Sequence, residues 1–237
     1  MAKKEGIRKL FNRIASDYDR LNHILSLNID KGWRKKAVRE IADQNHPVKV
    51  LDVACGTGDF TIEIARKVAA GSEVTGVDIS EGMMEIGKQK ILKAGVAAEM
   101  YVADCEALPY AQDAFDRIAV GFGVRNLEHL ELGLSEMYRV LKQGGKLVIL
   151  ELSLPSNSFI RSCYMLYFKK ILPAIGGLLT GDRGAYEYLC TSVIRFPAPD
   201  KFVEMLKNAG FGHVEHKSLT FGICRMYVCK KLSTPES

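Results

Sequence analysis

"VLDVACGTGDF", residues 50–60, runs from apolar residues into a glycine turn and ends at an acid. Gly56 and Gly58 permit positive φ and let a ligand approach the backbone, and a helix is predicted to begin near Asp59. No Gly-Lys-Ser/Thr follows, which excludes a P-loop, and the dinucleotide fingerprint fails because its third glycine position holds Thr61. The turn alone fits either a nucleoside-bearing ligand or a plain strand–helix connection.

Short apolar runs alternate with helical patterns after this turn, which predicts parallel βαβ units. The helix ending "YRVLK" is predicted to stop at "QGGK", residues 143–146. At the end of the chain, "HVEHKSLT" and "ICRMYVCKK" flank Phe221-Gly222 and predict a hairpin. Strands are predicted near 48–53, 73–78, 98–103, 115–121 and 145–152, and helices near 58–70, 81–94, 127–142 and 199–209.

These elements predict an α/β fold, with a doubly wound, Rossmann-like, seven-stranded and mostly parallel sheet that closes on a C-terminal antiparallel hairpin. This is the plan of the S-adenosylmethionine-dependent methyltransferases, by analogy of fold alone. A single domain is expected over 1–237. Residues 1–46 are predicted to form a helical lid, and residues 154–198 an insertion over the carboxyl ends of the strands, where open α/β sheets bind ligands.

Acidic residues recur at the predicted strand ends. Asp78 lies 20 residues beyond Gly58 and is placed to accept hydrogen bonds from ribose hydroxyls. Asp104 ends the third strand and can accept from an adenine amine, while no residue is supplied for a second phosphate. The pattern favours S-adenosylmethionine over a dinucleotide. The candidate cofactor-binding residues are Asp52, Gly56, Thr57, Gly58, Asp78, Asp104, Cys105 and Gly121.

Charge and cysteine content restrict the classes of protein to which the chain can belong. The net charge is +5, and residues 1–46 hold 11 Lys/Arg against 6 Asp/Glu. This excess indicates either a solvated helical face or a segment that meets an anionic surface. The start of the chain lacks the apolar core of a secretory signal, and the six cysteines form no Cys-x-x-Cys pair, so a cytoplasmic protein with reduced thiols and no metal site is expected.

Several longer motifs resemble one family, the ubiquinone/menaquinone biosynthesis C-methyltransferases. The opening motif carries Tyr18, Asp19, Asn22, Ser26 and Trp33 as that family does. The resemblance runs nearly end to end and is far more specific than the glycine turn. The motifs are "FNRIASDYDRLNHILSLNIDKGWRKKAV" at 11–38, "FGVRN" at 122–126, "RVLKQGGKLVILELS" at 139–153, "YEYLCTSVIRFP" at 186–197 and "LTFGI" at 219–223.

The chain departs from the family pattern at a few positions. Leu21 stands where methionine is usual, Asp30 where histidine is usual and Gln143 where proline is common. Gly121 stands where relatives often have serine, so only a backbone contact is available there. The resemblance implies contacts to S-adenosylmethionine at Thr57, Asp78, the Asp104–Cys105 pair and Gly121.

The resemblance further implies C-methylation of a prenylated quinol. Arg125 and Asn126, with Tyr18, are the candidate catalytic residues: the guanidinium could stabilise a phenolate or hold a water, and the tyrosine could orient the ring. A structural ion pair for Arg125 and a buried structural role for Tyr18 are the alternatives. No isolated His/Asp dyad stands out, and the histidines at 23, 46, 129, 213 and 216 have no such context.

The stretch 159–180 is the most apolar in the chain, but Lys169, Lys170 and Pro173 interrupt it, so it is too short to span a membrane. It is predicted to be a buried helical insertion, a groove for the isoprenoid tail or a patch for transient peripheral contact with the inner face of the membrane.

Three rival functions differ in how well they fit the sequence. A nucleic-acid methyltransferase is disfavoured because residues 121–126, "GFGVRN", hold neither an Asn/Asp-Pro-Pro-aromatic motif nor a Pro-Cys, so no nucleic-acid partner is expected. A NAD-dependent reductase is disfavoured by Thr61, and a non-catalytic SAM-binding protein stays open. Leu21 and Asp30 favour demethylmenaquinol as substrate over the benzoquinol of ubiquinone synthesis. The sequence carries no prediction of the oligomeric state.

Overall fold

A seven-stranded sheet forms the centre of the molecule, with strand order β3-β2-β1-β4-β5-β7-β6. The computed structural model describes residues 2–171 and 183–233. The strands are β1 (Lys49–Val53), β2 (Glu73–Asp78), β3 (Glu99–Val102), β4 (Phe115–Gly121), β5 (Leu141–Leu152), β6 (His213–Leu219) and β7 (Cys224–Lys230).

Strands β1 to β5 are mutually parallel, and β7 runs antiparallel to both β5 and β6. The strand order reverses direction between β1 and β4. This confirms the predicted doubly wound sheet with its C-terminal hairpin. A crevice is expected beyond the carboxyl ends of β1 and β4, because the loops that leave these two strands turn to opposite sides of the sheet.

Helices cover both faces of the sheet, which explains why the central strands are apolar on both sides. In β5, Leu147 and Ile149 pack into one core and Val148 and Leu150 into the other, and all four are fully buried. The helices are α1 (Ala2–Leu25), α2 (Ile29–Ile41), α3 (Asp59–Ala65), α4 (Glu81–Ala94), α5 (Leu130–Val140), α6 (Ser158–Leu166), α7 (Arg183–Arg195) and α8 (Pro199–Asn208), with shorter helical turns at Val124–Asn126, Tyr167–Ile171 and Thr220–Gly222.

The helix predicted over 127–142 is wrong at both ends: α5 begins at Leu130 and ends at Val140. Leu141 is fully buried and already pairs with Phe115, so burial ends the helix before the glycines. The pairing then shifts from Phe115↔Leu141 to Arg117↔Lys146, and the intervening residues of β5 bulge out of the ladder. Gly144 allows this bulge with φ 73°. Similarly, α3 ends at Ala65 rather than near residue 70.

The N-terminal segment divides into two parts with different packing. Helix α2 belongs to the core, where Ala37 and Ile41 are almost completely buried against the sheet. Helix α1 instead crosses the carboxyl edge of the sheet and is attached to the start of α4, with Arg8 bonded to Glu81 at 2.6 Å. The role of a lid, predicted for all of residues 1–46, therefore suits α1 alone.

The segment 154–198 adds a small core of its own, formed by Tyr164, Phe168, Cys190 and Val193. Part of the apolar stretch predicted at 159–180 lies outside the described residues, from 172 onward. Across residues 2–171 and 183–233, no helix has both the length and the apolar character needed to cross a membrane.

Candidate functional site

Two adjoining cavities lie beyond the carboxyl ends of the parallel strands. We call them the larger cavity, of about 150 Å³, and the smaller cavity, of about 70 Å³. They meet along a common wall, so a ligand in one can touch a ligand in the other. The residues shared by both linings are Tyr18, Ala54, Gly56, Gly121 and Phe122.

The common wall is built from the turns after β1 and β4. Ala54 and Phe122 both have positive φ, at 54° and 61°, which is uncommon for residues with a side chain. The two turns touch closely: a Cβ added at Gly123 would lie 2.5 Å from the Cβ of Ala54. Backbone strain of this kind persists where the surrounding structure fixes it, and it clusters at functional sites.

Asp78, at the end of β2, fixes the glycine turn. Its two carboxylate oxygens accept from the backbone N–H groups of Gly56 and Ser80, each at 2.9 Å. Burial raises the pKa of this carboxyl, and the backbone donors oppose that rise. Asp78 lines the smaller cavity, so its remaining lone pairs can accept hydrogen bonds from a ligand there.

Asp104 and Cys105 also line the smaller cavity, together with Asn126. The Asp104 carboxylate is held by α1, because Lys4 Nζ lies 2.7 Å from Asp104 Oδ2 and 3.0 Å from Glu106 Oε2. Burial raises the pKa of the Cys105 thiol, so Cys105 contributes a neutral wall. The acid that is predicted to accept from an adenine thus already has a cationic partner.

Gly121 lines both cavities at the end of β4. A Cβ added there would lie 3.0 Å from Cδ1 of Phe60, tighter than ordinary van der Waals contact. Phe60 therefore fills the space that a serine side chain would need. Only the Gly121 backbone is available to a ligand.

Two predicted site residues are not brought to either cavity, Asp52 and Gly58. Asp52 is fully buried inside β1, and its Oδ2 accepts from the Thr61 hydroxyl at 2.6 Å. Burial is the main cause that raises the pKa of Asp52 to about 7. Gly58 precedes α3 with φ 79°, and a Cβ there would lie 3.2 Å from Met100 Sδ. Asp52 and Gly58 therefore support the glycine turn without lining either cavity.

A network of charged side chains lines the polar end of the larger cavity. Lys90 Nζ lies 2.5 Å from both Asp19 and Asp59, and the Thr57 hydroxyl donates to Asp19. The Lys90 ammonium holds the pKa of Asp59 below its usual range against the opposing effect of burial, which is the largest single influence. Helices α1, α3 and α4 are thereby joined at the cavity.

His23 pairs with Asp30 at the larger cavity, although no isolated His/Asp dyad stands out in the sequence. Its Nδ1 lies 2.9 Å from Asp30 Oδ2, and its Nε2 lies 3.3 Å from Asp59 Oδ2. The pair spans the turn between α1 and α2, where Leu27 and Asn28 both adopt positive φ. Residue spacing does not predict the backbone conformation of this turn, so the sequence carried no clear signal for the His23–Asp30 pair.

Arg125 forms a buried ion pair on the wall of the larger cavity. Its Nη1 lies 2.7 Å from Glu151 Oε1, and the side chains are 6% and 0% exposed. Nη1 also donates to the carbonyl of Phe122, whereas the buried Nε has no hydrogen-bond partner among the described residues. Glu151 is not among the site residues predicted from the sequence, although a lone acid in the apolar run "LVILEL" was the available signal.

Aromatic and aliphatic side chains close the other end of the larger cavity. They come from the end of β5, the hairpin and the 154–198 segment, and they are Leu152, Tyr164, Tyr167, Phe168, Leu189 and Ile223. On the opposite wall the rings of Trp33 and Phe122 lie 6.1 Å apart. A further link to the 154–198 segment is the Tyr188 hydroxyl, which donates to Asn126 Oδ1 at 3.1 Å.

The site is therefore a polar compartment with strand-end acids beside a compartment that is charged at one end and apolar at the other. Within residues 2–171 and 183–233, no group of His, Cys, Asp and Glu is arranged to hold a metal ion. The arrangement can bring a nucleoside-bearing group against an apolar ring.

Comparison with known proteins agrees with this geometry. Two relatives match across almost the whole chain. Demethylmenaquinone methyltransferase of Bacteroides fragilis is 43% identical over 97% of this chain and 94% of its own length. Ubiquinone/menaquinone biosynthesis C-methyltransferase UbiE of Geotalea daltonii is 45% identical, over 97% of each chain.

Solved structures show the same fold at lower identity. A SAM-dependent methyltransferase of Thermotoga maritima, described as a possible histamine N-methyltransferase, superimposes with a TM-score of 0.66 at 19% identity, over 95% of this chain and 99% of that one. A SAM-dependent methyltransferase of Aquifex aeolicus gives 0.59 at 17% identity, over 84% and 89%. Residues 1–231 match the sequence profile of one family. The chain therefore belongs to the ubiE/COQ5 methyltransferase family, whose members are S-adenosylmethionine-dependent methyltransferases.

Proposed function

We propose that this enzyme transfers the methyl group of S-adenosylmethionine to a ring carbon of prenylated demethylmenaquinol, giving menaquinol. The names of its relatives support the reaction, since both concern quinone biosynthesis. The observation that carries the proposal is the common wall of the two cavities. It allows a donor in the smaller cavity to face an aromatic ring in the larger one.

The residues of the smaller cavity fit the adenosine part of the donor. Asp78 would accept from the ribose hydroxyls, Asp104 from the adenine amine, and Gly121 would offer only its backbone. Thr57 lies in the glycine turn just before α3, next to the common wall, where the methionyl part would reach it. When bound, the donor supplies an electrophilic methyl group on a sulfonium.

The larger cavity fits the quinol. Its apolar end would take the first isoprenoid units beside Phe168 and Ile223, and Trp33 with Phe122 would pack against the ring. The Arg125 guanidinium would stabilise negative charge as it develops on the ring oxygen, with its unpartnered Nε–H as donor. Tyr18, on the wall between the cavities, would set the distance between ring and donor.

The direct test is methyl transfer from labelled S-adenosylmethionine to short-chain demethylmenaquinol by the purified enzyme. We expect incorporation into the quinol, and none into an already methylated menaquinol. The benzoquinol precursor of ubiquinone is the second candidate substrate, because one relative carries both pathways in its name. Turnover of the benzoquinol at an equal or higher kcat/KM would overturn the preference for demethylmenaquinol.

We further propose that the 154–198 segment touches the membrane that holds the quinol. On α6, Phe159 and Leu166 are 75% and 60% exposed, and the exposed Arg161, Lys169 and Lys170 add positive charge. Each basic residue near an anionic leaflet contributes about 1 kcal/mol. Phe168, by contrast, is buried against Tyr164 and serves the cavity wall.

Sedimentation with anionic vesicles tests this contact. The double substitution Phe159→Ser/Leu166→Ser should reduce the bound fraction, and 0.5 M salt should reduce it for the unaltered protein. Leu92→Ser is the matched control, because Leu92 on α4 is 83% exposed and lines neither cavity. Equal binding of all three proteins would leave α6 as solvent-facing surface.

A further inference from the structure

We propose that the turn between α1 and α2 and the turn between β6 and β7 insert apolar side chains into the leaflet that holds the quinol, so that the quinol passes from the bilayer directly into the larger cavity. This inference rests on the proposed function and extends the membrane contact beyond α6. The inserted side chains would be Leu27 and Phe221, which are 77% and 76% exposed.

Both side chains are held outward by backbone conformations that are unfavourable for residues with a Cβ. Leu27 has φ 51° and Phe221 has φ 57°, and their neighbours Asn28 and Thr220 also have positive φ, at 59° and 45°. An exposed apolar side chain gains little from burial inside the protein, so packing does not explain why these turns retain such conformations. Backbone strain that a fold retains points to a functional segment.

Each of the two turns continues directly into the lining of the larger cavity. Ser26, the residue before Leu27, lines the cavity, and so does Ile223, two residues after Phe221. The same short segments therefore carry one side chain that is exposed to solvent and one that borders the cavity. Whatever covers the exposed side chains also lies beside the cavity.

Direct contacts join the two turns and α6 into one surface. The Trp33 indole on α2 donates to the Thr220 hydroxyl at 2.8 Å. A Cβ added at Gly222 would lie 3.3 Å from Cα of Pro155, and the Arg161 guanidinium on α6 donates to the Pro155 carbonyl at 2.8 Å. The β6–β7 turn thus touches both α2 and the segment that leads into α6. We call the exposed apolar side chains of this surface the apolar rim, and they are Leu27, Ile29, Phe159, Leu166 and Phe221.

The charges around the apolar rim fit an anionic leaflet. In residues 27–33, 155–171 and 219–225, every exposed charged side chain is basic. Asp30 is the one acid in these ranges, and it is buried. Basic residues beside outward apolar side chains are the pattern of peripheral contact with anionic lipid. The exposed basic residues are Lys31, Arg161, Lys169 and Lys170.

A lipid leaflet fits these turns better than a protein surface does. Leu27 and Phe221 stand on two separate narrow turns rather than on one helix or sheet face. A fluid leaflet accepts such protrusions without a matching groove, whereas a protein partner would need one for each. A quinol whose first isoprenoid units lie beside Ile223 would keep the rest of its tail in the leaflet next to Phe221.

The first experiment compares Leu27→Asn/Phe221→Asn with the unaltered protein in sedimentation with vesicles of equal parts phosphatidylcholine and phosphatidylglycerol. Asparagine adopts positive φ more readily than most residues, so both turns keep their backbone. The partition coefficient should fall by about tenfold or more, because two apolar side chains no longer enter the leaflet. Leu92→Asn is the matched control, since Leu92 is 83% exposed on α4 and lines neither cavity. Its partition coefficient should stay within about twofold of the unaltered value.

The rate of methyl transfer separates docking on the membrane from damage to the site. With long-chain demethylmenaquinol held in the vesicles, kcat/KM of the double variant should fall by about tenfold or more. With short-chain demethylmenaquinol dissolved in buffer, kcat/KM should stay within about twofold, because neither substituted residue lines a cavity.

A further variant, Phe221→Trp, reports insertion without removing the aromatic side chain. Its fluorescence should shift to shorter wavelength on the vesicles and be quenched by brominated lipid, because the indole would lie in the leaflet. The chain has a single tryptophan, Trp33, so the unaltered protein supplies the background signal.

The outcomes separate this inference from the proposed function. If the unaltered enzyme does not methylate short-chain demethylmenaquinol, the proposed function fails, while sedimentation and quenching still decide whether the turns insert. The inference is overturned if the double variant partitions like the unaltered protein, or if quenching in Phe221→Trp does not exceed that of the unaltered protein. It is also overturned if sedimentation equilibrium without vesicles shows an oligomer that the double variant dissociates, because the apolar rim would then join copies of this chain.

Discussion

The two cavities share a wall but are built in different ways. The smaller cavity takes its acids from strand ends, where Asp78 is held by two backbone N–H groups and Asp104 by one backbone N–H group and by Lys4. The larger cavity takes its charges from α1, α2, α3 and the turn after β4, and there each charge is held by another side chain, as Arg125 is by Glu151.

This difference predicts how substitutions act. Removing Asp78 from the smaller cavity would delete a bond to the ligand but leave no opposite charge stranded in the protein, because the Asp78 carboxylate is held by backbone N–H groups. Removing one charge of the larger cavity leaves its partner buried and uncompensated. Substitutions there should therefore lower the free energy of unfolding, whereas those in the smaller cavity should mainly change donor affinity.

The largest effect is expected for Arg125→Met. Glu151 is fully buried, and without the guanidinium its charge has no partner, so the free energy of unfolding should fall by about 3–5 kcal/mol. Urea denaturation monitored by circular dichroism measures this. The substitution has the additional effect of removing the proposed stabiliser of the ring oxygen.

The double substitution Arg125→Met/Glu151→Gln tests the cause. Glutamine keeps a neutral acceptor for the N–H groups of Arg125 and Leu152, which now bond to Glu151. The double variant should recover most of the lost stability. If Arg125→Met alone is as stable as the unaltered protein, the two cavities do not differ in the way described.

Asp52, which lies behind the common wall, is expected to make the free energy of unfolding depend on pH. Its pKa is raised to about 7, chiefly by burial, so between roughly pH 4 and 7 the folded protein keeps a proton that the unfolded chain has released. Asp52 therefore lowers stability as the pH rises through that window. Relative to Asp52→Asn, the unaltered protein should lose up to about 4 kcal/mol between pH 4 and pH 8.

Urea denaturation of both proteins at several pH values measures that difference. The comparison isolates Asp52 because the other carboxylates are common to both proteins. A stability difference that stays constant across the window would mean that Asp52 is ionised in the folded protein.

Asp78→Ala tests the smaller cavity. Loss of the strand-end carboxylate should weaken binding of S-adenosylhomocysteine by about 1.5–3 kcal/mol, as expected for hydrogen bonds to a charged group. Calorimetry measures the Kd. Glu73→Ala is the control at the opposite end of the same strand, where the side chain is exposed and pairs with Lys49. Similar losses in both variants would remove Asp78 from the donor site.

The contrast between the cavities also explains what the sequence could predict. The doubly wound parallel sheet, the glycine turn and the acids at Asp78 and Asp104 follow from local periodicity and from the rule that parallel strands end at one edge. Asp52 shows the limit of this reasoning, because adjacent strand residues face opposite ways and its carboxyl points to Thr61 rather than to the cavity.

The larger cavity could not be predicted in the same way, because its pairs join residues that are distant in sequence. Arg125, in the turn after β4, pairs with Glu151 on the neighbouring strand β5. Trp33 donates to the hydroxyl of Thr220, 187 residues away. The His23–Asp30 contact spans seven residues but depends on the backbone of the turn between them. Spacing along the chain carries no information on such contacts.

The smallest effect is expected for Lys4→Ala, which tests the contact between α1 and the smaller cavity. Lys4 Nζ occupies Asp104 Oδ2, the acceptor proposed for the adenine amine, and its positive charge opposes a cationic donor. Helix α1 keeps other attachments, including Arg8 to Glu81 and Asn12 to Ser80. The Lys4 side chain is 28% exposed, so its ion pairs are partly screened by solvent. Removal should therefore tighten binding of S-adenosylmethionine by about two- to fivefold, a change of under about 1 kcal/mol.

Calorimetry at 0.05 M and 0.5 M salt measures this change, which should shrink at the higher salt because the charge effect is screened. Lys9→Ala is the control, since Lys9 is 74% exposed and pairs only with Glu5 at 3.5 Å among the contacts of the described chain. Weaker binding in Lys4→Ala would show that the attachment of α1 matters more to the donor than the free carboxylate of Asp104. In that case the smaller cavity, like the larger one, would depend on contacts between distant side chains.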